Sequence, residues 1–453
     1  MELTDNIHDL IRKYNRPGPR YTSYPTAPHF TTDADKEALI EQSVAQEGPA
    51  SLYIHIPFCE SNCWFCGCNT IITTRRKSAD AYLDLLEKEI ALIRKRTGLK
   101  RPITRIHLGG GTPNFLTVGQ IERLFSLVKA GFEIADDAEL SVELAPNYLS
   151  EAQIEAFARN GLSRASFGVQ DIQPGVQKAI NRIQPHAVNI ATMERLRDRG
   201  IASVNIDLIY GLPYQTTESY LDTLKGVLAL NPNRLAVFNY AHVPHMKPYQ
   251  AKLERHPMPA PEAKIDLLLT VIRTLTDAGY RYIGMDHFAK PDDELCLAQQ
   301  EKHLHRNFQG YTIQEEPQLI ALGISSISET PYSYRQNYKD YPDYERSVSE
   351  GAWPIAKGIT LSEEDYARRS MIQSVMCNLH LDYADFSQAY PTIFPAVLES
   401  IRPHLPDLEK DGLIGCSSAG FEVTERGRLF LRNIAMIFDA YLGKDQAKYS
   451  RTV

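Results

Sequence analysis

The chain has 453 residues, long enough for a large core with one or two satellites and too long for one small domain. A hydrophobic content of 43% and a charged content of 23% describe an ordinary globular chain, and a net charge of −7 argues against a broad electrostatic grip on nucleic acid. No run of about 18 or more apolar residues offers a membrane span, and the start Met1-Glu-Leu-Thr-Asp-Asn6 is acidic and polar, unlike a secretory signal.

In chain order, residues 1–50 read as an irregular ordered arm, with a Pro- and Tyr-rich patch from Tyr14 to Thr26 laid over something else. From 51 to about 290, short apolar runs alternate with amphipathic stretches. Expected strands are Leu52–Ile56, Arg105–Leu108, Leu140–Leu144, Ala165–Val169, Val204–Ile209, Leu235–Asn239 and Tyr282–Met285. Between them the spacing predicts a helix over Asp80–Arg96, one opened by a capping box at Ser150 and Gln153, one from Thr216 or Thr217, and one after Pro259-Ala-Pro261. Alternation with a period of roughly 30 to 40 residues predicts a parallel sheet in a full or partial β/α barrel. Past about 360 come helices near Ser362–Asn378 and Phe394–Leu408, a short strand Phe421–Val423 and a helix from about Thr424. That order suggests a winged-helix-like domain. Without a dense basic helix it reads as a compact cap and not as a DNA reader.

Four of the seven cysteines fall in ten residues: Cys59, Cys63, Cys66 and Cys68. Such clustering suggests metal or redox chemistry in a reducing compartment, whereas Cys296, Cys377 and Cys416 stand alone as structural thiols. Structural zinc sites pair two separated knuckles, and no second knuckle or His pair lies nearby. Crowding on one loop suits an iron–sulfur cluster, and three ligands would leave one iron open. The loop follows the first barrel strand, where barrel active sites lie.

Other strand ends carry polar groups. Ile106 to Pro113 ends in Gly109, Gly110 and Gly111, whose bare backbone can approach a ligand or can simply make a tight turn. Its spacing is not a dinucleotide fingerprint. Glu143, Gln170, Asp207 and Asn239 recur at or near strand ends, as a ring around one polar ligand would require. Arg182 is either a solvated surface arginine or the cation for a carboxylate.

The C-x3-C-x-Phe-C loop resembles that of the radical S-adenosylmethionine superfamily. The likeness extends to the oxygen-independent coproporphyrinogen III oxidase family through Pro19–Thr26, Tyr53–Cys59, Phe65–Asn69, Gly109–Pro113 and Gly168–Asp171. It continues through Asn205–Pro213, Phe238–His242, Gly284–Ala289, His305–Tyr311 and Leu429–Ile434. The resemblance implies a partial (β/α)6 TIM-like radical barrel, with a substrate-covering arm over 1–50, the barrel core over 51–290, an extension over 291–360 and a mainly helical, winged-helix-like domain over 361–453. It implies oxidative decarboxylation of coproporphyrinogen III to protoporphyrinogen IX by a 5′-deoxyadenosyl radical, in haem biosynthesis. Related haem chaperones and other tetrapyrrole-modifying radical enzymes are the alternatives, and Cys68 favours the oxidases.

By the same resemblance Cys59, Cys63 and Cys66 hold a 4Fe-4S cluster. Tyr53, Gly110, Glu143 and Ile327 contact a first S-adenosyl-L-methionine. Phe65, Gly111, Thr112, Gln170, Arg182, Asp207 and Ala241 contact a second. Tyr53, Gln309 and Arg20 are expected to be catalytic, Arg20 and Arg306 to meet propionates, and Tyr21 or Tyr24 to cover the macrocycle. Expected partners are the porphyrinogen and an electron donor such as flavodoxin or ferredoxin, with no nucleic acid and no membrane, for a cytoplasmic monomer. The chain departs from the family where Ala145 and Asn147 stand in place of Asp and Arg, and where Leu108 replaces a frequent Trp.

Overall fold

The computed structural model describes residues 7–98, 101–313, 316–443 and 449–452, so the acidic start Met1–Asn6 lies outside the described residues. Two compact units divide the chain. One holds Thr31–Ala260 and Glu316–Thr360; the other holds Met1–Phe30, Pro261–Glu315 and Leu361–Val453. Each assembles its core from segments distant in sequence; the expected boundary at 360 falls between the two units, whereas those at 50 and 290 fall inside one unit each.

The first unit is built on six parallel strands in sequential order: β1 (Ala50–Ile56), β2 (Pro102–Gly110), β3 (Glu133–Leu144), β4 (Leu162–Gln170), β5 (Ser203–Tyr210) and β6 (Arg234–Asn239). Each predicted core strand is found, lengthened by one to several residues. Beyond β1 the sheet continues with β7 (Gln318–Leu322), parallel to β1, and then antiparallel β8 (Ile327–Thr330), β9 (Ser333–Asn337) and β10 (Ile355–Thr360). Periodicity did not reveal this extension. Its strands are short, and β7 and β9 are buried on both faces, so they lack the alternation that marks a half-buried strand.

The crossover helices match their expected signals. Ser78–Thr97 buries Leu83, Leu86, Ile90 and Ile93 on one face and ends at Gly98 in the left-handed region. Thr117 with Gln120, Ser150 with Gln153 and Thr216 with Ser219 each form a reciprocal capping box. Residues 1–50 are less irregular than expected. Helix Ile7–Tyr14 buries Ile7, Leu10, Ile11 and Tyr14 at helical spacing, and helix Lys36–Val44 opens on the Asp35 cap.

In the second unit the run read as a seventh barrel strand is Arg281–Gly284. It pairs antiparallel with His287–Ala289, because Gly284 and Met285, both at positive φ, turn the chain back at once. The C-terminal region is mainly helical, with a three-stranded antiparallel sheet of His380–Asp382, Ile414–Ser417 and Gly420–Val423. The helix expected from Thr424 is broken into the short turns Gly427–Phe430 and Leu431–Ala435. The arm is tied down inside this unit: Arg432 donates to the carbonyls of Pro19 (2.9 Å) and Arg451 (2.6 Å).

A buried carboxylate locks the first unit's sheet extension to its crossover helix. Glu89, 2% exposed, accepts from Tyr344 Oη (2.7 Å), Asn337 Nδ2 (2.7 Å) and the Gly323 N–H (2.8 Å). Burial pushes its carboxyl up, against these donors. Tyr344→Phe is expected to cost about 1–3 kcal/mol by leaving that oxygen short of a donor, measured as a lower urea midpoint at unchanged slope.

Candidate active site

Parallel pairing sets the interior of the site. Adjacent partners put Tyr53, His107 and Ser141 in one row across β1, β2 and β3, and Glu143, Ser166 and Asn205 in a row nearer the carboxyl ends of β3, β4 and β5. Gly168 pairs with Asp207 in the next row. Side chains two apart on a strand share a face, so these rows make one polar wall. His107 links Ser141 Oγ (2.6 Å) to Glu143 Oε1 (3.3 Å), and the Tyr53 ring stacks on it at 5.8 Å. Tyr53 Oη meets His55 Nδ1 (3.0 Å), and His55 Nε2 reaches the Asn69 carbonyl in the cysteine loop (2.9 Å).

Electrostatics differ along this wall. Burial pushes the Glu143 carboxyl up, but His107 and the Gly110 N–H (3.2 Å) outweigh it and hold it below the ordinary glutamate range. Asp207 is pushed up to about 6, first by burial and then by the Glu143 charge, although Asn205 Nδ2 (2.7 Å) and Ser166 Oγ (3.4 Å) donate to it. Gln170 ends β4 at φ +65. The fully buried Asp171 beside it supports that strained turn, accepting from Gln215 (2.7 Å), Thr223 (2.9 Å) and the Gln173 N–H (2.7 Å).

The cysteine loop leaves β1 through Phe58, whose buried ring stacks on Phe115 at 5.1 Å and meets Tyr82 edge-on at 5.5 Å. Trp64 and Phe65 pack against an apolar cluster that includes Val176, Ile180, Leu212 and Leu253. Tyr249 Oη donates to the Cys66 carbonyl (2.7 Å), Gln250 Nε2 to that of Phe65 (2.9 Å) and Lys247 Nζ to that of Cys68 (2.7 Å). Gly111 must lack a Cβ, because one would lie 2.6 Å from the Pro57 carbonyl oxygen.

These elements enclose a cavity of about 390 Å³. Cys59, Cys63, Cys66 and Phe65 line it from the loop, Gly110, Gly111, Thr112, Glu143, Gln170 and Asp207 from the strand ends, and Arg182 from the turn after helix Pro174–Ala179. Of the other residues expected to bind cofactor, Tyr53 sits beneath the lining, Ala241 is exposed just past β6, and Ile327 starts β8; none is a lining residue. Arg20 and Gln309 belong to the other unit. There Arg20 pairs with Asp286, and Gln309 is exposed in a hairpin turn. Arg306, 6% exposed, donates to the Arg20 carbonyl and lies 5.5 Å from the Tyr311 ring centre.

The residues fit an iron–sulfur cluster with a polar organic ligand. Among the described residues no three His, Cys, Asp or Glu side chains converge on one metal ion. A cuboidal cluster asks for thiolates around it, one per iron, on a single loop. Burial pushes the Cys59 thiol up to about 12, and a hydrogen bond from Cys68 is the main cause of a low Cys66. Gln170 and Arg182 line the cavity, and each holds a buried polar atom without a hydrogen-bond partner, Oε1 and Nε, as groups arranged for a polar ligand would.

Comparison with known proteins decides the family. The radical SAM superfamily model matches residues 53–226, and the HemN C-terminal domain model matches 361–430. The chain is 46% identical to the oxygen-independent coproporphyrinogen III oxidase of Salmonella typhimurium, over 96% of this chain and 95% of that protein. It is 43% identical to the same-named protein of Synechocystis, over 98% and 97%. This chain belongs to the oxygen-independent coproporphyrinogen III oxidase family. A solved coproporphyrinogen III oxidase from Escherichia coli, described as a radical SAM enzyme, superposes with a TM-score of 0.91 at 44% identity, over 96% of this chain and 99% of that one.

The site of this oxidase-family chain also contains residues that motif reading passed over. His55 follows Tyr53 at period two on the same strand, and strand pairing sets His107 opposite Tyr53. Asn114 holds the departing position Ala145 by its backbone, accepting from the N–H (2.8 Å) and donating to the carbonyl (3.1 Å). Asn147 donates to the Ile183 carbonyl (2.7 Å) at the cavity rim.

The raised Asp207 carboxyl opposes folding wherever it is ionised. Its proton is held more tightly in the fold, so stability falls as pH rises from about 3.8 to about 6. Asp207→Asn is expected to be more stable than wild type by about 2–3 kcal/mol at pH 8, a difference that vanishes near pH 4. Urea unfolding at both pH values checks this.

Proposed function

We propose that this chain oxidatively decarboxylates coproporphyrinogen III to protoporphyrinogen IX without oxygen, in haem biosynthesis. The observation that carries this reading is a three-cysteine loop facing a polar cavity at the strand ends of a chain 46% identical, nearly end to end, to a protein of that name.

In this proposal Cys59, Cys63 and Cys66 hold a 4Fe-4S cluster. Tyr53, Gly110, Glu143 and Ile327 hold one S-adenosylmethionine, and Phe65, Gly111, Thr112, Gln170, Arg182, Asp207 and Ala241 hold a second. When bound, the reduced cluster would give one electron to S-adenosylmethionine and so supply methionine and a 5′-deoxyadenosyl radical able to take hydrogen from the β-carbon of a propionate; loss of CO2, and of one electron to an external acceptor, would leave a vinyl group. The depressed Glu143 carboxylate suits a ligand ammonium, and Arg182 suits a carboxylate. Asp207 accepts from ribose hydroxyls. The glycine turn lets ligand and backbone touch. Arg20, Tyr53 and Gln309 serve the substrate, and the arm over 1–50 covers it. The barrel core over 51–290 carries the chemistry, 291–360 extends it, and 361–453 forms the helical domain. The donor is a one-electron carrier such as flavodoxin or ferredoxin, and the enzyme works as a cytoplasmic monomer.

The deciding experiment is anaerobic turnover with reconstituted cluster, reductant, S-adenosylmethionine and coproporphyrinogen III. CO2 release with vinyl product is expected, and absence of both from a cluster-loaded chain overturns the proposal. Cys63→Ala is expected to lose bound iron and cofactor cleavage together. Cys68→Ser is expected to keep wild-type iron, since it leaves the three ligands in place.

A further inference from the structure

The turn after helix Pro174–Ala179 is bound to the cysteine loop more closely than an ordinary connection requires. The Trp64 N–H donates to the Ile180 carbonyl (3.0 Å). Asn181, in the left-handed region at φ +55, donates through Nδ2 to the Asn62 carbonyl (2.9 Å). An asparagine tolerates that conformation better than most residues, and its short amide reaches a nearby backbone. The following residue, Arg182, is thereby aimed back over the loop. Its Nη1 donates to Cys63 Sγ (3.7 Å) and its Nη2 to the Gly168 carbonyl (2.7 Å). The far side of the turn is held as well, by Asn147 at the Ile183 carbonyl (2.7 Å) and by Gln177 at the Gln184 carbonyl (2.6 Å). A flexible surface arginine would need none of these supports.

We propose that the turn Ile180–Ile183 is a tuning bracket for the iron–sulfur site, in which Asn181 is a positioning residue and Arg182 a donor to the Cys63 sulfur that makes the cluster easier to reduce. The inference rests on the reading of Cys63 as a cluster ligand. A ligating thiolate keeps lone pairs, and reduction adds negative charge to iron and sulfur. A fixed guanidinium hydrogen-bonded to that sulfur therefore stabilises the reduced form more than the oxidised one. Arg182 also lines the cavity, so an anion taken against its guanidinium would be felt at Cys63 through one planar group.

The test uses the full chain with reconstituted cluster and no substrate, as wild type, Arg182→Met and Asn181→Gly. Iron per chain is counted, and the midpoint potential is read by titration monitored through the paramagnetic resonance of the reduced cluster. Arg182→Met is expected to keep wild-type iron and to shift to a more negative midpoint. Asn181→Gly, which accepts the same φ but lacks the amide, is expected to shift the same way by less. An unchanged midpoint in iron-replete Arg182→Met overturns the proposal. So does loss of the cluster from a folded Arg182→Met chain, which would make the arginine an assembly residue. Arg182→Gln serves the same comparison should Arg182→Met not fold. A wild type that takes up no iron removes the ligand assignment, and the bracket with it; a wild type with iron beside an unshifted variant removes the bracket alone.

Discussion

Everything at this site depends on the register of five parallel strands. A slip of one residue in any of them would turn its polar face toward the apolar packing and bring apolar residues into the cavity. Apolar side chains on the other face prevent that slip. Leu52, Ile54 and Ile56 on β1, Ile106 and Leu108 on β2, and Val204, Ile206 and Leu208 on β5 are all buried. Burial of each is worth about 1.5–3 kcal/mol, more than a typical single polar contact contributes. The hydrophobic face holds the geometry, and the polar face uses it.

The cysteine loop has almost no regular structure of its own. Its shape is borrowed from every side: the aromatic seat of Phe58 behind it, the apolar cluster under Trp64 and Phe65, and the donors Lys247, Tyr249 and Gln250 along its outer edge. Loops that carry chemistry need a rigid scaffold, because a short segment cannot bury enough surface to order itself. Here much of that scaffold comes from segments far away in sequence.

The site is also where this fold gives up stability. Asp207 is held where its charge is disfavoured, Gln170 occupies a strained backbone conformation, and Gln170 Oε1 and Arg182 Nε are buried without partners. Each is unfavourable taken alone. Together they describe groups arranged for a ligand and not for one another. The same molecule gives a more deeply buried carboxylate three donors at Glu89, which is not among the cavity lining, so the contrast is not a general looseness of packing.

Much of this was legible in the chain as a string of residues. Spacing alone marked the clustered cysteines, the six core strands, the capping box at Ser150, the helix start at Thr216, and Glu143, Gln170, Asp207 and Asn239 near strand ends, because those signals are local; Asn239 alone of these four does not line the cavity. Four things were not. The extension from β7 to β10 offers no readable period, since β7 and β9 are buried on both faces. The run at Tyr282 is a strand as expected, but its antiparallel pairing with His287–Ala289 comes from the reversal at Gly284 and Met285. His55 and His107 look like core histidines until pairing brings them beside Tyr53 and Glu143. Asn181 looks like any turn residue until the chain folds back over the cysteine loop, where its amide meets the Asn62 carbonyl. The sequence by itself determined the chemistry on offer, a cluster of thiols and a set of polar strand ends. Only the tertiary structure decided which of them face one cavity and which, such as Arg306 and Ala241, do not line it. That choice is made by strand register and long-range packing, which no local pattern encodes.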